Sequence, residues 1–317
     1  MNSSRSSARG PIPRAVVSFL WIIVGGSLAA QIPNIGPIGD VVRAYTGFQF
    51  TEGPAADRQG NLYFSDVQRN RIHKIDTQGQ LSTFLENTQG CNGLMFDARG
   101  RLVACQSGAG RMIAIDVETR NFEVIAEEYQ GKRFNSPNDV VIDRNGGIYF
   151  SDPFFGAGQM IQDRQGVYYV SSGGQVSRVI DNLTRPNGVI LSPDESTLYV
   201  LSAQPVVMAY TVEEPGRLAA GRVLAQLQSS SSGDGMTIDT RGNLYVTRPS
   251  INALQVLSPD GASLGTIPIP EAPANCTFGG ADMKTLFVTA RTSVYTAPME
   301  ATGHRFAQPK TRPRRRP

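Results

Sequence analysis

One short pattern recurs six times along the chain and constrains the fold more than any other feature. Each copy begins with a polar side chain beside small residues and continues with an apolar run, a turn rich in Asp, Gly or Asn, and a second apolar run. Two apolar runs around such a turn predict a β-hairpin. The residues that open the copies are Glu52, Asn92, Asn138, Asn187, Asp234 and Asn275. A unit repeated every roughly forty to fifty residues indicates a propeller or a solenoid.

The sequence after each hairpin decides between these two architectures. NRIHKIDTQGQLSTFLE follows the first hairpin and GRMIAIDVETRNFEVIAE follows the second, and both again show two β-rich runs around a turn. Units of about four strands arranged in a ring form a β-propeller, which leaves only short protected edges. We therefore predict an all-β fold, a six-bladed β-propeller of four-stranded blades. The alternative is a sandwich of unrelated hairpins, which would not require the same class of opening residue six times.

The sixth unit is one strand short, because its β-rich sequence ends after TSVYTAPM. The segment 40–45, DVVRAY, lies ahead of the first copy and is predicted to supply the missing strand. The ring would then be closed by an N-terminal strand.

The chain divides into three parts: a signal peptide over 1–30, the propeller over 31–305 and a basic tail over 306–317. The leader combines three early arginines with the apolar run AVVSFLWIIVGGSLAA, which starts at Ala15 and ends in small residues. This run is too short for a comfortable membrane span. We expect cleavage after Ala29 or Ala30 and an exported protein, periplasmic or secreted, with an uncleaved anchor as the alternative. The prolines and like charges of the tail predict disorder.

The formal net charge of +3 is misleading, because eight basic residues lie in the leader and the tail. The remaining 22 basic residues face 27 acidic ones, so the segment 31–309 carries about −5. A mildly acidic body without a basic stripe argues against a nucleic-acid partner. We expect a monomer that acts on a small molecule.

Three cysteines, Cys91, Cys105 and Cys276, cannot all pair with one another. A catalytic thiol needs an activating base, and the sequence shows none nearby. We predict that all three are small buried residues that fill space. A Cys91–Cys105 bridge stays open as an alternative in an exported protein.

The residues that open the innermost strands of a propeller converge at one end of its central channel. Here they bring two carboxylates and four carboxamides together, and such oxygen donors suit a hard divalent cation. Calcium fits best, magnesium and manganese remain possible, and zinc is less expected because it favours nitrogen and sulfur. The alternative is that these side chains only cap loop backbones. Glu52, Asn187 and Asp234 taken together favour the metal site.

Only two histidines are present. His73 lies in the strand NRIHKID, where a packing or surface role away from the pocket is expected. His304 belongs to the terminal segment and is predicted to be exposed. Serine-hydrolase chemistry therefore lacks a partner histidine, and no G-x-S-x-G element occurs.

At its repeat-opening residues the chain resembles the gluconolactonase and senescence-marker-protein (regucalcin) family of six-bladed propellers. The resemblance runs from about Phe50 to Ala297 and is closer to the bacterial gluconolactonase-like branch. Five elements carry it in family order and at blade spacing: FTEGP, NSPNDVV, RPNGVILSPDESTLYV, GDGMTIDTRGNLYV and NCTFGGADMKTLFVTA.

The resemblance implies roles for individual residues. Glu52, Asn187 and Asp234 correspond to the family's metal ligands, and Asn138 completes the metal shell or contacts the substrate. Asp234 also corresponds to the proposed acid/base carboxylate. Ser136 stands where the regucalcin branch carries an arginine that helps hold the sugar lactone, and this departure concerns the substrate contacts rather than the metal ligands.

Further residues are expected to contact the substrate or to set specificity. The predicted substrate contacts are Asn138, Ser136, Asn92 and Asn275. The residues predicted to line the pocket are Ser136, Phe154, Phe155 and Arg248.

These residues predict a metal-dependent hydrolase that opens a sugar lactone. The cation would polarise the lactone carbonyl, and Asp234 would take a proton from the attacking water, with Asp139 as a poorer base. Two alternatives stay open. One is a non-catalytic, metal-stabilised propeller that binds a sugar or a protein ligand, and the other is a hydrolase of a different lactone or ester.

Overall fold

Six antiparallel sheets form the body of residues 31–306, the part of the chain that the computed structural model describes. The predicted signal peptide 1–30 and the tail residues 307–317 lie outside the described residues. The six-bladed β-propeller predicted from the repeats is confirmed. No helix within the described residues is long and apolar enough to cross a membrane.

Each blade contributes four strands, ordered from the central channel to the rim. The innermost strands are Thr51–Ala56, Cys91–Phe96, Val140–Ile142, Val189–Leu191, Met236–Ile238 and Pro273–Gly279. The second strands are Leu62–Asp66, Leu102–Gln106, Ile148–Asp152, Thr197–Leu201, Leu244–Arg248 and Thr285–Ala290. The third strands are Arg71–Ile75, Arg111–Ile115, Gly166–Val170, Val206–Glu214, Ala253–Leu257 and Ser293–Pro298. The outermost strands are Leu81–Glu86, Phe122–Ala126, Val176–Ile180, Arg222–Gln226, Ser263–Pro268 and, in the sixth blade, Val42–Thr46.

The N-terminal strand closes the ring, as predicted. Val42–Thr46 pairs antiparallel with Ser293–Pro298, placing Val42 opposite Thr296 and Thr46 opposite Ser293. The strand begins two residues later than the segment proposed from the sequence. The sixth blade therefore combines the last three strands of the propeller with the first one.

Glycines beside the opening residues let the inner strands of adjacent blades approach closely. A Cβ on Gly53, whose φ is +48°, would lie 2.0 Å from the carbonyl oxygen of Asn92. A Cβ on Gly93 would lie 2.5 Å from the carbonyl oxygen of Asn138, to which the Gly93 N–H donates a hydrogen bond of 2.7 Å. The small residues of the repeat are thus explained by backbone contact across the blades.

The apolar core lies between the sheets, and its largest cluster joins the third, fourth and fifth blades through buried side chains such as Tyr149, Leu198 and Val246. The three cysteines are buried and unpaired, as preferred from the sequence. His73 is also buried, with its ring 5.1 Å from that of Phe48, so its predicted packing role is consistent with the structure.

Several short elements lie outside the regular four-stranded blades. The sequence did not predict the small hairpin of Glu128–Tyr129 and Lys132–Arg133, which joins the second blade to the third. The strand Arg217–Leu218 extends the fourth blade, and 3₁₀ turns occupy Val67–Arg69 and Pro249–Ile251.

The prediction for His304 is wrong, because its side chain is half-buried. Its backbone N–H donates to the carbonyl oxygen of Ile238, and its ring packs 4.5 Å from that of Phe306. The terminal segment lies against the closed end of the channel and is hydrogen-bonded to the inner strand of the fifth blade, which partly shields His304 from solvent. Burial lowers the pKa of this imidazole.

Candidate active site at the channel mouth

A cavity of about 430 Å³ opens at one end of the central channel. It is lined by Phe50, Glu52, Asn92, Asn138, Phe155, Asn187, Ser231, Ser232, Gly233, Asp234, Pro249 and Ser250. Five of the six repeat-opening residues are therefore brought together by the structure. Their convergence follows from the fold, since every inner strand begins at the same end of the channel.

Strand position sets where these side chains lie. Glu52 and Asn92 are the second residues of their inner strands, whereas Asn138, Asn187 and Asp234 precede the inner strands of their blades by two positions. The repeat places one polar side chain from each of five blades around a common centre.

Asn187 and Asp234 are joined directly across the fourth and fifth blades. The Asn187 Nδ2 donates to Asp234 Oδ1 at 2.7 Å, which engages one of the two carboxylate oxygens. Gly188 N–H reinforces the contact by donating to the Asp234 carbonyl oxygen at 2.9 Å. Glu52 is held by its own turn, where its Oε2 accepts from Gly53 N–H at 2.9 Å.

The carboxyl groups of the mouth resist ionisation. Burial, followed by the negative charge of Asp234, raises the pKa of Glu52 well above its usual range. Burial also raises the pKa of Asp234 to about 6, against the opposing effect of the Asn187 hydrogen bond. Among the described residues, none of the main influences on these pKa values comes from Lys or Arg. A buried and a half-buried carboxyl group without a cationic partner create a site that favours a bound cation.

Asp139 and Asn275 lie deeper and face the opposite end of the channel, where they line a second cavity. Asp139 Oδ2 accepts from Val189 N–H at 3.2 Å, and burial raises the pKa of this carboxyl to about 7. Asn275 Oδ1 accepts from Cys276 N–H at 2.8 Å. Asn275, predicted as a substrate contact, therefore lies behind the mouth, where hydrogen bonding from its side chain also opposes the rise in the pKa of Glu52 and of Asp139.

The remaining predicted pocket residues are divided. Phe155 lines the mouth cavity, but its described wall does not include Ser136, Phe154 or Arg248. Ser136 N–H donates to Asp152 Oδ1 at 2.7 Å, in a contact that holds the loop before the third blade. Arg248 is 0% exposed and lies behind the wall.

Part of the wall of the mouth cavity was not predicted from the sequence. Phe50 precedes the EGP element, and Pro249 and Ser250 follow the second strand of the fifth blade. Ser231 and Ser232 belong to the serine run before GDGM, and its position beside an opening residue was a usable signal.

The donor set at the mouth fits a divalent metal ion. Within residues 31–306 no group of three or more His, Cys, Asp or Glu side chains is suited to a metal, so a site here depends on amide oxygens as well as carboxylates. Glu52, Asp234, Asn138 and Asn187 supply both types in one cavity. Oxygen donors of this kind match calcium better than zinc.

Comparison with known proteins identifies the family. Residues 50–292 match the model described as "SMP-30/Gluconolactonase/LRE-like region". A gluconolactonase of Zymomonas mobilis is 32% identical over 305 residues, covering 85% of each chain.

Solved structures agree with this match. The structure of a gluconolactonase from Xanthomonas campestris superimposes with a TM-score of 0.77 at 30% identity, covering 85% of this chain and 91% of that one. A calcium-binding regucalcin from Agrobacterium tumefaciens has the same fold, with a TM-score of 0.73 at 19% identity and coverage of 87% and 97%. The chain belongs to the SMP-30/gluconolactonase/LRE-like family.

Proposed function

We propose that this protein is a lactonase that opens a sugar lactone at the channel mouth. The observation that carries the proposal is the convergence of Glu52 and Asp234 with the amides of Asn92, Asn138 and Asn187 in one cavity. Family membership supports it, since a Zymomonas relative is a gluconolactonase and a Pseudomonas putida relative, 29% identical, is a 6-deoxy-6-sulfogluconolactonase.

The proposed cofactor is one divalent metal ion, with calcium favoured. Glu52, Asn138, Asn187 and Asp234 would hold it, because they combine two carboxylates with two amide oxygens and no nitrogen or sulfur ligand of the kind zinc prefers. When bound, the ion supplies Lewis acidity that makes a lactone carbonyl more electrophilic.

The chain's own residues position the substrate and move the proton. Asp234 is the proposed general base, because its hydrogen bond to Asn187 uses only one of its two oxygens. The second oxygen is the group assigned to take a proton from the attacking water. Asn92 and Asn138, which line the same cavity, are assigned to orient the lactone. Proton transfer by a positioned carboxylate contributes about 10²–10⁴-fold to rate.

The test uses purified protein stripped with a chelator and then supplied with calcium, manganese, magnesium or zinc. Acid release from D-glucono-δ-lactone is followed near neutral pH against the spontaneous rate. We expect metal-restored hydrolysis that Asp234→Ala lacks, together with loss of metal affinity in that variant. Near-normal activity of Asp234→Ala would contradict its assignment. Metal binding without hydrolysis of any lactone or ester would instead favour the propeller that binds its ligand without turnover.

We also propose that the protein is exported, on the basis of the leader over 1–30. Sequencing the amino terminus of the mature protein from its native host tests this. A start at residue 30 or 31 is expected, and a start at Met1 would contradict cleavage.

A further inference from the structure

One side of the mouth carries a group of hydroxyl groups that the proposed chemistry does not use. Ser231, Ser232 and Ser250 all line the cavity. The first two lie in the loop between Arg222–Gln226 and Met236–Ile238, and the third lies in the 3₁₀ turn Pro249–Ile251. We call these three residues the serine wall. The cavity also has an apolar part, formed by Phe50 of the first blade and Phe155 of the third.

The serine wall is held together by its own hydroxyl contacts. Ser231 Oγ is hydrogen-bonded to Ser250 Oγ, which joins the loop to the turn that follows the second strand of the fifth blade. Ser229 Oγ lies 3.1 Å from Ser231 Oγ and extends the chain of hydroxyls. A hydroxyl both donates and accepts, so such a row can exchange its internal bonds for bonds to a ligand's hydroxyls.

Arg248 anchors the loop from behind. Its Nη1 donates to Gln255 Oε1 at 2.6 Å, and its Nη2 donates at 3.0 Å to both Ser229 Oγ and the Ser231 carbonyl oxygen. The same Nη2 also donates to the carbonyl oxygen of Gln228. One guanidinium therefore fixes the backbone of the loop at several points.

This arginine is electrostatically unusual. Its side chain is 0% exposed, and within the described chain it forms no ion pair, while its Nε has no hydrogen-bond partner there. Burying a charge without a counterion is costly, so an apolar residue would serve packing better. Hydrogen bonds from Arg248 to the loop offset this cost, and they place Ser231 at the cavity surface.

We propose that the serine wall recognises the hydroxyl groups of a polyhydroxylated lactone, and that Arg248 is the positioning residue that holds it. This inference rests on the proposed function. It states that selectivity for the class of substrate comes from the serine wall, which is separate from the residues that would hold the metal ion. Hydroxyl recognition at this wall distinguishes a sugar lactone from an unsubstituted lactone of the same ring size.

The experiment compares kcat/KM for D-glucono-δ-lactone with kcat/KM for δ-valerolactone, which has the same ring without hydroxyls. We expect the ratio to fall about 10-fold in the double variant Ser231→Ala/Ser250→Ala, the effect of losing about one ligand hydrogen bond. The fall should arise from KM of the sugar lactone. Ser263→Ala is the matched control, because Ser263 is exposed on the outermost strand of the same blade, and its ratio should equal that of the wild type.

Arg248→Lys tests the positioning role, because a single ammonium cannot reach acceptors spread along the loop as the guanidinium does. We expect KM to rise more for the sugar lactone than for δ-valerolactone. A purely structural role would instead lower kcat for both substrates by the same factor and leave the ratio intact.

The outcomes separate the two proposals. Wild-type protein that hydrolyses neither lactone, nor any other lactone or ester, contradicts the proposed function itself. Wild-type protein that hydrolyses both, with a ratio that the serine double variant does not change, overturns the serine wall alone. A ratio that falls with the serine variant but not with Arg248→Lys overturns only the role of Arg248.

Discussion

The two ends of the central channel are built from the same inner strands but are lined by different kinds of side chain. At the mouth, Glu52 and Asp234 lie with amide side chains around a cavity of about 430 Å³. At the other end, a cavity of about 110 Å³ lies among apolar side chains such as Val141, Ile190 and Phe278, with the terminal segment 304–306 forming part of its wall. Among the described residues, the wall of the mouth gathers carboxyl and amide side chains without a Lys or Arg, whereas the wall of the other end combines apolar side chains with Asp139 and with basic side chains such as Arg305.

Each inner strand is only three to seven residues long, yet its two ends serve different properties. The end at the mouth contributes to ligand binding, and the other end contributes to packing. Each repeat starts with a polar residue and small neighbours, then turns apolar, so the direction of the chain sorts the two properties to opposite ends. Substitutions at the mouth should therefore change ligand binding, and substitutions at the closed end should change the free energy of unfolding.

The largest expected effect is on stability at the closed end. Phe278 is 1% exposed, and Phe278→Ala should lower the free energy of unfolding by about 3–5 kcal/mol, because it removes a buried ring and leaves a cavity. Chemical denaturation measures the change, and Phe122→Ala on an exposed rim position should cost less than about 1 kcal/mol. Calcium affinity of folded Phe278→Ala should match the wild type. A large loss of affinity would show that the two ends are coupled.

At the mouth, Glu52→Gln should weaken calcium by about 100-fold or more, because it removes ligand charge while keeping the shape of the side chain. Titration calorimetry measures this. Without metal the melting temperature should not fall, since the change relieves repulsion between the carboxyl groups of Glu52 and Asp234. Glu128→Gln, on an exposed hairpin, is the control for charge alone. Unchanged affinity in Glu52→Gln would argue against Glu52 as a ligand.

Gly93→Ala tests whether one substitution can lower both the stability of the fold and the calcium affinity of the mouth. Its Cβ would meet the Asn138 carbonyl oxygen at 2.5 Å, so the second and third blades must separate locally. We expect a loss of about 1–3 kcal/mol in stability, accompanied by weaker calcium binding as Asn138 moves. Gly173→Ala, whose Cβ would be 3.7 Å from its nearest neighbour, should alter neither property. Unchanged calcium affinity in Gly93→Ala would argue against Asn138 as a ligand of the metal ion.

A pH dependence of stability is also expected for the metal-free protein. Burial raises the pKa of Asp139 to about 7 and of Asp234 to about 6, both above the ordinary value for an unfolded chain. The folded state then binds more protons, so the stability from these groups is fully present below about pH 4 and is lost as pH rises toward 7. Metal-free protein should show a melting temperature that declines by about 10 °C or more across this window. Calcium should oppose the decline, because it favours the ionised carboxylates, and a calcium-induced rise in melting temperature that did not grow with pH would contradict the assignment.

Local repetition made the fold readable from the sequence, because each hairpin, its turn and its opening residue lie within one short segment. The closing strand Val42–Thr46 was also foreseeable, since the sixth unit lacked a strand. The metal-ligand set could be proposed for the same reason, because residues at equivalent repeat positions must converge in a ring.

The orientation of individual side chains could not be read in this way. The sixth inner strand has a register shift between Pro273 and Asn275, and Asn275 is turned into a backbone contact behind the mouth. The role of Arg248 depends on acceptors in a loop 17 to 20 residues earlier in the chain, and no repeat pattern encodes that distance. Half-burial of His304 depends on where the terminal segment crosses the blades.

The mixed composition of the sixth blade has a consequence for biosynthesis. Its outermost strand is made first and its other three strands are made last, so the ring cannot close until Ser293–Pro298 has left the ribosome. During translation the earlier blades exist as an open arc whose final partner has not been made, and closure pays the entropy of joining the two ends of that arc. Emergence of Ser293–Pro298 is thus the step that allows the ring to close around the channel.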